Sequence, residues 1–272
     1  MSALERKSQS LPRPARRSEV WLIPVQVAIL IGLLVLWQVS VSQKNLMFFS
    51  RPTLVAERLY ELFAGGEIWR HLFVTLQEVL IGYAIGAGLG LVLGFIFGRS
   101  RQLSKIFQPF IIGLYSIPKI ALAPLFIVWF GLGVESKIAV VVLATFFLVF
   151  FNTYSGLLNV NEELVQLARL MKASWAQTIG RVILPASAGQ IFIGLKTAVP
   201  YAVIGAVIGE YIGADQGLGY FVLYSSQTFD APSLFAGIIV LIALVFAANV
   251  VLGAVEKRAM GWRNTSGATL QL

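Results

Sequence analysis

Six apolar stretches, each long enough to cross a lipid bilayer, constrain this sequence more than any other feature. They lie at about 20–41, 72–98, 106–131, 134–158, 187–212 and 232–255. About 20 helical residues, each rising about 1.5 Å, cross a hydrocarbon core of about 30 Å. Only 12% of the 272 residues are charged, too few to cover a water-soluble globule of this length. The sequence therefore predicts an all-α, polytopic membrane bundle with six transmembrane helices.

The scarcity of reactive side chains excludes several classes of protein. The chain has no Cys and a single His, His71. It therefore lacks thiolate nucleophiles, zinc ribbons, iron–sulfur ligands and a histidine-rich metal centre. We expect no catalytic residue, no metal and no bound cofactor in this chain.

The net charge of +8 is explained by membrane orientation. An even number of spans places both termini on one side. That side carries 14 of the 21 Lys and Arg residues, the other side carries five, and two lie within spans. Because cytoplasmic loops of membrane proteins are enriched in Lys and Arg, we expect cytoplasmic N and C termini and no nucleic-acid partner.

The regions outside the core have distinct compositions. Residues 1–19 are expected to be a disordered cytoplasmic tail, and 261–272 a C-terminal tail. In the N-terminal unit, 20–69, the first span is longer than the apolar core of a signal peptide, which has about 7–15 residues, and this favours an uncleaved anchor. Residues 52–65 predict an amphipathic helix in the outer interface. Its apolar stripe is Leu54, Leu59, Leu62 and Phe63.

A ladder of glycines runs along the second span. Gly82, Gly86, Gly90, Gly94 and Gly98 are each four residues apart. This spacing keeps them near one face, where a neighbouring helix can approach closely. The fifth span repeats the pattern at Gly205, Gly209 and Gly213. A dinucleotide-binding loop is the alternative, but no strand precedes the glycines.

The third span contains Pro118, Lys119 and Pro124. Proline removes a backbone donor and clashes with the preceding turn, so we predict a bent or broken span. Lys119 either snorkels or pairs with a carboxylate, or it borders a path for an anion. Further candidates for the path, each of which packing or an interfacial position also explains, are Trp129, Asn152, Tyr201 and Glu210.

Residues 159–186 form the longest loop on the side of the termini. Asn161 is a suitable N-cap, followed by two acidic residues in the first turn. Leu164, Leu167, Ala168 and Met171 then recur at helical spacing. The apolar face of such a helix needs either the membrane surface or a partner protein.

This loop resembles the EAA loop of binding-protein-dependent ABC importer permeases. That pattern is Glu-Ala-Ala, three residues, Gly, nine residues, then Ile-x-Leu-Pro. Here 166–168 read Gln-Leu-Ala, Lys172 stands at the Gly, and 182–185 read Val-Ile-Leu-Pro. The spacing is intact, but Lys172 would let the helix continue where Gly would interrupt it.

Two further segments resemble the nitrate/sulfonate/taurine branch of these permeases. One is 118–133, Pro-Lys-Ile-Ala-Leu-Ala-Pro-Leu-Phe-Ile-Val-Trp-Phe-Gly-Leu-Gly, and the other is Glu-Tyr-Ile-Gly at 210–213 followed by Gly-Leu-Gly-Tyr at 217–220. The resemblance covers a core of about 70–260 and implies a type I importer fold. It also implies a bacterial inner membrane, a second permease copy in a homodimer, two cytoplasmic ATPases, and a periplasmic or lipid-anchored substrate-binding protein.

The mechanism that the resemblance implies is mechanical. The chain has no Gly-x4-Gly-Lys-[Ser/Thr] motif, so ATP chemistry belongs to the partner. The helix predicted at 161–175 would act as a lever that tilts the fourth and fifth spans when the ATPases close. The residues expected at the ATPase are Glu163, Leu167, Ala168, Arg169, Met171, Lys172, Ala173 and Ser174.

Two other classes fit less well. A secondary transporter is expected to show internal repeats, and none is evident. An intramembrane enzyme would need clustered His, Asp or Cys in the spans. The resemblance points to nitrate, taurine, alkanesulfonates or bicarbonate as substrates, with a vitamin or pyrimidine precursor as the alternative.

Overall fold

The computed structural model describes residues 21–42 and 48–261, and within them every regular element is helical. The tail predicted at 1–19 and all but the first residue of the one at 261–272 lie outside the described residues. The helices are α1 Leu22–Ser40, α2 Pro52–Ala64, α3 Glu67–Arg99, α4 Arg101–Ser116, α5 Ala123–Phe130, α6 Val134–Leu158, α7 Glu162–Leu170, α8 Trp175–Thr178, α9 Leu184–Gly213, α10 Leu218–Gln227 and α11 Ala231–Ala259.

Five of these segments are long and apolar enough to cross a membrane as single helices: α1, α3, α6, α11 and the continuous run Trp175–Gly213, in which a π-helical turn joins α8 to α9. A sixth is broken. Helix α4 and the segment Lys119–Phe130, a 3₁₀ turn followed by α5, meet at 80°. The prediction of six spans with an interrupted third is confirmed.

Helix α6 lies at the centre of the bundle, between the glycine faces of α3 and α9. A Cβ atom added at Gly90 would lie 2.8 Å from the carbonyl oxygen of Phe146, and one added at Gly94 would lie 2.8 Å from that of Phe150. On the other side, Gly205 of α9 approaches the backbone of Val141. Helices can approach this closely only where side chains are absent, so both glycine series are packing faces.

Helix α2 packs on the bundle as well as being amphipathic. Val55 and Leu62 are buried in a cluster with Ile68 of α3 and Leu218 of α10. Leu54 and Leu59 are only partly buried, and Phe63 is exposed. The amphipathic helix is confirmed, but its buried face is centred on Val55 and Leu62 because α2 must fit against α11 and α3.

Helices α1 and α11 lie at the periphery of the bundle. Helix α1 buries none of its residues, and near its end Trp37 contacts the ring of Phe235 of α11 with centroids 5.3 Å apart. Helix α11 is tied to α9 by an ion pair between Glu256 and Lys196. Lys196, one of the two Lys residues within spans, is therefore paired.

Candidate functional site

The amphipathic helix of the long loop is α7, and it begins as its sequence predicts. The side chain of Asn161 accepts a hydrogen bond from the amide of Glu163 at 2.8 Å. Glu162 and Glu163 occupy the first turn, where the positive end of the helix dipole favours carboxylates. The helix ends at Leu170, because the next residues form a turn.

Lys172 does not continue the helix, and that prediction was wrong. Its φ is +59°, in the left-handed region. The reason lies two residues later: Ser174 starts α8 through a reciprocal capping box with Gln177. Because Ser174 is the N-cap of α8, the connection from α7 must turn sharply before it. Across this turn the amide of Ala173 donates to the carbonyl of Ala168 at 3.0 Å. Lys172 thus takes the backbone conformation that the family's glycine adopts readily.

Helix α7 has two faces of opposite character. Four apolar side chains point away from the bundle: Leu164, Leu167, Leu170 and Met171 are 47%, 54%, 81% and 76% exposed. We call these four residues the outer apolar face. The inner face carries Ala168, which is 9% exposed, and Gln166 and Arg169, which line a cavity beside the ends of α3 and α6.

The residues predicted to contact an ATPase are therefore divided. Leu167 and Met171 lie on the outer apolar face, and Glu163, Lys172 and Ser174 are exposed near it. Ala173 is half-buried, and Ser174 also caps α8. Ala168 and Arg169 lie on the inner face. An α-helix has about 3.6 residues per turn, so residues next to each other in the sequence point to different sides of it. Leu164 and Leu170 complete the face and were not in the predicted set.

The break in the third span places a cation among aromatic rings. The ammonium of Lys119 lies 4.3 Å from the ring centroid of Tyr115 and 5.4 Å from that of Phe147. It also donates to the carbonyl of Tyr115 at 3.4 Å. In the part of the chain that the structure describes, Lys119 has no carboxylate partner. The geometry thus does not support pairing with a carboxylate among the described residues, whereas snorkelling and a position beside a path both stay open.

Three other predicted path residues lie on three different helices. Trp129, on α5, is 63% exposed, and Tyr201, on α9, is 47% exposed. Asn152, on α6, is half-buried and accepts a hydrogen bond from the side chain of Gln190 of α9 at 3.0 Å. In the described part of the chain no hydrogen bond or ring contact joins any two of the three, and their place on a path stays a prediction.

Glu210 is enclosed rather than exposed. Its side chain is 1% exposed and accepts a hydrogen bond from the hydroxyl of Thr75 of α3 at 2.6 Å. The amides of Gly219 and Tyr220, in the first turn of α10, donate to its other oxygen. Thr75 in turn accepts from the amide of Leu218 at 2.7 Å. This geometry favours a structural role, in which Glu210 caps α10 and holds it against α3 and α9.

Two buried charged groups next to Glu210 were missed or misplaced. Glu78 of α3 is fully buried beside it and was not among the predicted site residues. Lys137 is one of the five Lys and Arg residues assigned by the sequence to the side opposite the termini, but it is 6% exposed in α6 and packs on Gly209. The signal that could have revealed it is the glycine at 209, which makes room for a larger side chain opposite.

These features define a class of protein. Within the described residues we find six spans, a helix broken at membrane depth, and a loop helix with an unpartnered apolar face, but no cluster that could hold a metal. Such a bundle is a polytopic helical membrane protein.

Comparison with known proteins identifies the family. Residues 86–261 match the family described as binding-protein-dependent transport system inner membrane component, and the chain belongs to it. It is the transmembrane permease subunit of an ABC importer, a multi-pass membrane protein.

The relatives agree with this assignment. The chain is 30% identical to the aliphatic sulfonates transport permease protein SsuC of Bacillus subtilis over 93% of this chain and 92% of the relative. It is 35% identical to the formylaminopyrimidine transport permease protein ThiX of Halalkalibacterium halodurans over 85% and 92%. Its fold is similar to a chain of the inward-facing MetNI methionine ABC transporter, with TM-score 0.58 and 20% identity over 75% and 98%.

Proposed function

We propose that the outer apolar face of α7 is the surface on which a cytoplasmic ATPase docks. Leu164, Leu167, Leu170 and Met171 leave a continuous apolar surface on a helix that lies outside the spans. Burying such a side chain against a partner contributes about 1.5–3 kcal/mol, so four of them form a strong anchor. This exposed face is the observation that carries the proposal, since the chain has no nucleotide-binding motif of its own.

The connections of α7 explain how docking would do work. Three residues, 159–161, link it to the end of α6. The turn at Lys172 links it to the continuous helix Trp175–Gly213. A displacement of α7 therefore pulls on α6 and α9 together, and their glycine-faced contact can shift as a rigid-body packing change. In this way ATP-driven closure of two ATPases would alternate the access of the path.

The path itself would form between two copies of the chain. Apart from Arg101, whose side chain is not described, Ser104 is the one buried residue of α4, and Ala123 is the one in α5. Between these helices the backbone is broken at membrane depth, and backbone polar groups there need protein or water rather than lipid. A second copy facing α4 and α5 satisfies this need, so we infer a homodimer with Lys119 near its axis. The Lys and Arg distribution supports cytoplasmic termini, which puts α10 on the side of a substrate-delivering binding protein.

For the substrate we propose a small anion or organosulfonate. A Lys119 ammonium with no carboxylate partner among the described residues suits an anionic solute. The alternative is a pyrimidine or other vitamin precursor, which the similarity to a formylaminopyrimidine permease favours. A thermal-shift screen of the partner binding protein distinguishes them: stabilisation by taurine, alkanesulfonates or nitrate supports the first, and stabilisation only by pyrimidines the second.

The docking proposal is tested by co-purification. The double variant Leu167→Asp with Met171→Asp places two carboxylates in the proposed interface, and we expect it to lose the ATPase while the permease stays in the membrane. The matched control is Leu167→Met with Met171→Leu, which keeps the face apolar and should retain the ATPase. Equal ATPase yield from the Asp variant and the control would refute the docking surface.

A further inference from the structure

The inner face of α7 borders a cavity. This cavity lies on the opposite side of α7 from the outer apolar face that we propose contacts the ATPase. Its volume is about 290 Å³, and it lies where α3 and α6 end and α9 begins. Its walls include Leu157, Leu158 and Val165, and its polar side chains include Gln166 and two arginines. This volume is at the lower limit of small-molecule pockets, which begin at about 300 Å³, and suits a compact polar group.

The two arginines, Arg99 and Arg169, give the cavity its charge. Both side chains line its wall. Among the described residues neither has a carboxylate within ion-pair distance. Arg99 instead rests on the ring of Trp175, with its guanidinium carbon 3.9 Å from the ring centroid. Glu162 also lines the wall and has an interaction partner of its own.

The position of the cavity indicates what neutralises these arginines. Arg99 is the last residue of α3, a helix long enough to cross a bilayer, so its guanidinium lies at one end of a span. Trp175 beside it is typical of the membrane–water boundary. Basic pockets between transmembrane helices on the cytoplasmic side bind the headgroups of anionic lipids, and guanidinium groups hold phosphate through paired hydrogen bonds.

We propose that this cavity binds a phosphate group between Arg99 and Arg169, supplied by an anionic phospholipid of the inner leaflet. The phosphate bridges the end of α3 to the inner face of α7, while the apolar wall of Leu157 and Leu158 faces the first methylene groups of an acyl chain of the lipid. The bound lipid thereby fixes the position of α7 on the bundle before any ATPase docks.

The test measures lipid retention by the full-length permease. The protein is purified from membranes containing phosphatidylglycerol and phosphatidylcholine, and the retained lipids are counted by native mass spectrometry. We expect selective retention of phosphatidylglycerol, weakened about tenfold by Arg99→Gln and by Arg169→Gln. Arg181→Gln is the matched control, because Arg181 is an exposed arginine in the π-helical turn before α9 but does not line the cavity. Arg99→Lys keeps the charge without the paired donors and should retain an intermediate amount.

A second arm separates the two sources of phosphate. Inorganic phosphate is added to the wild type and to Arg99→Gln in phosphatidylcholine alone, and thermal unfolding is recorded. If phosphate stabilises the wild type but not Arg99→Gln, the site binds a soluble phosphate compound. If phosphate stabilises neither and phosphatidylglycerol is retained selectively, the site binds the lipid. Equal phosphatidylglycerol retention by the wild type, both Gln variants and the Arg181→Gln control, together with no effect of phosphate, would overturn the proposal.

Discussion

Replacing Lys172 by Gly should stabilise the turn that joins α7 to α8. Lys172 has a φ of +59°, a conformation in which the Cβ atom of an L-residue lies too close to the backbone. That crowding costs about 1–2 kcal/mol, which glycine avoids. Glycine also gives the unfolded chain more freedom, which costs about 0.5–1 kcal/mol. The net gain is therefore about 0–1.5 kcal/mol.

Amide hydrogen exchange measures this gain at the turn itself. The amide of Ala173 donates to the carbonyl of Ala168 across the turn, at 3.0 Å, and exchanges when the turn opens. A gain of about 1 kcal/mol should slow its exchange about fivefold in Lys172→Gly, after correction for intrinsic rates.

Lys172→Ala is the control, since it removes the same charge but keeps the Cβ atom. It should show no added protection. If the Gly and Ala variants protect Ala173 equally, the left-handed strain is not what sets the stability of this turn.

Three further predictions concern packing, the cap of α10 and the path. Gly90→Ala should destabilise the bundle by about 1–3 kcal/mol in thermal unfolding, because the added Cβ meets backbone atoms of α6. Gly88→Ala is the control and should not destabilise it, because the space around Gly88 is open. Equal effects of the two variants would contradict the packing face. Glu210→Ala should cost about 1.5–3 kcal/mol by the same measurement, and Glu210→Gln less because it keeps an acceptor for α10; no loss in either variant would remove the capping role. Lys119→Met should slow anion uptake about tenfold in reconstituted vesicles while the ATPase still co-purifies. Lys119→Arg keeps the positive charge and should keep most of the uptake. Normal uptake by Lys119→Met would favour a packing role.

Features that depend on neighbouring residues were predictable from the sequence. The spans follow from apolar length, and the break near Pro118 from the missing backbone donor. The start of α7 follows from the cap at Asn161. The glycine ladder showed that a helix would pack closely on α3, but not that α6 would be that helix.

Features that depend on distant residues were not predictable. The hydrogen bond from Thr75 to Glu210 joins residues 135 positions apart, and no local pattern indicates it. Lys172 is a mixed case: its helix propensity argued for continuation, whereas Ser174 and Gln177 carried a visible capping signal that outweighs it. The two faces of α7 also needed the structure, because the same period allows several orientations of the helix on the bundle.

Site-directed cross-linking tests the central claim most directly, since the chain contains no Cys and an introduced one is unique. Leu167→Cys places a thiol on the outer apolar face of α7, and Ile242→Cys, at a residue 63% exposed on α11, places one within a span. With a reagent that joins thiols to amines, the intact transporter should give a permease–ATPase adduct from Leu167→Cys and none from Ile242→Cys. An intact complex without an adduct at position 167, or with equal adducts at both positions, would contradict the account.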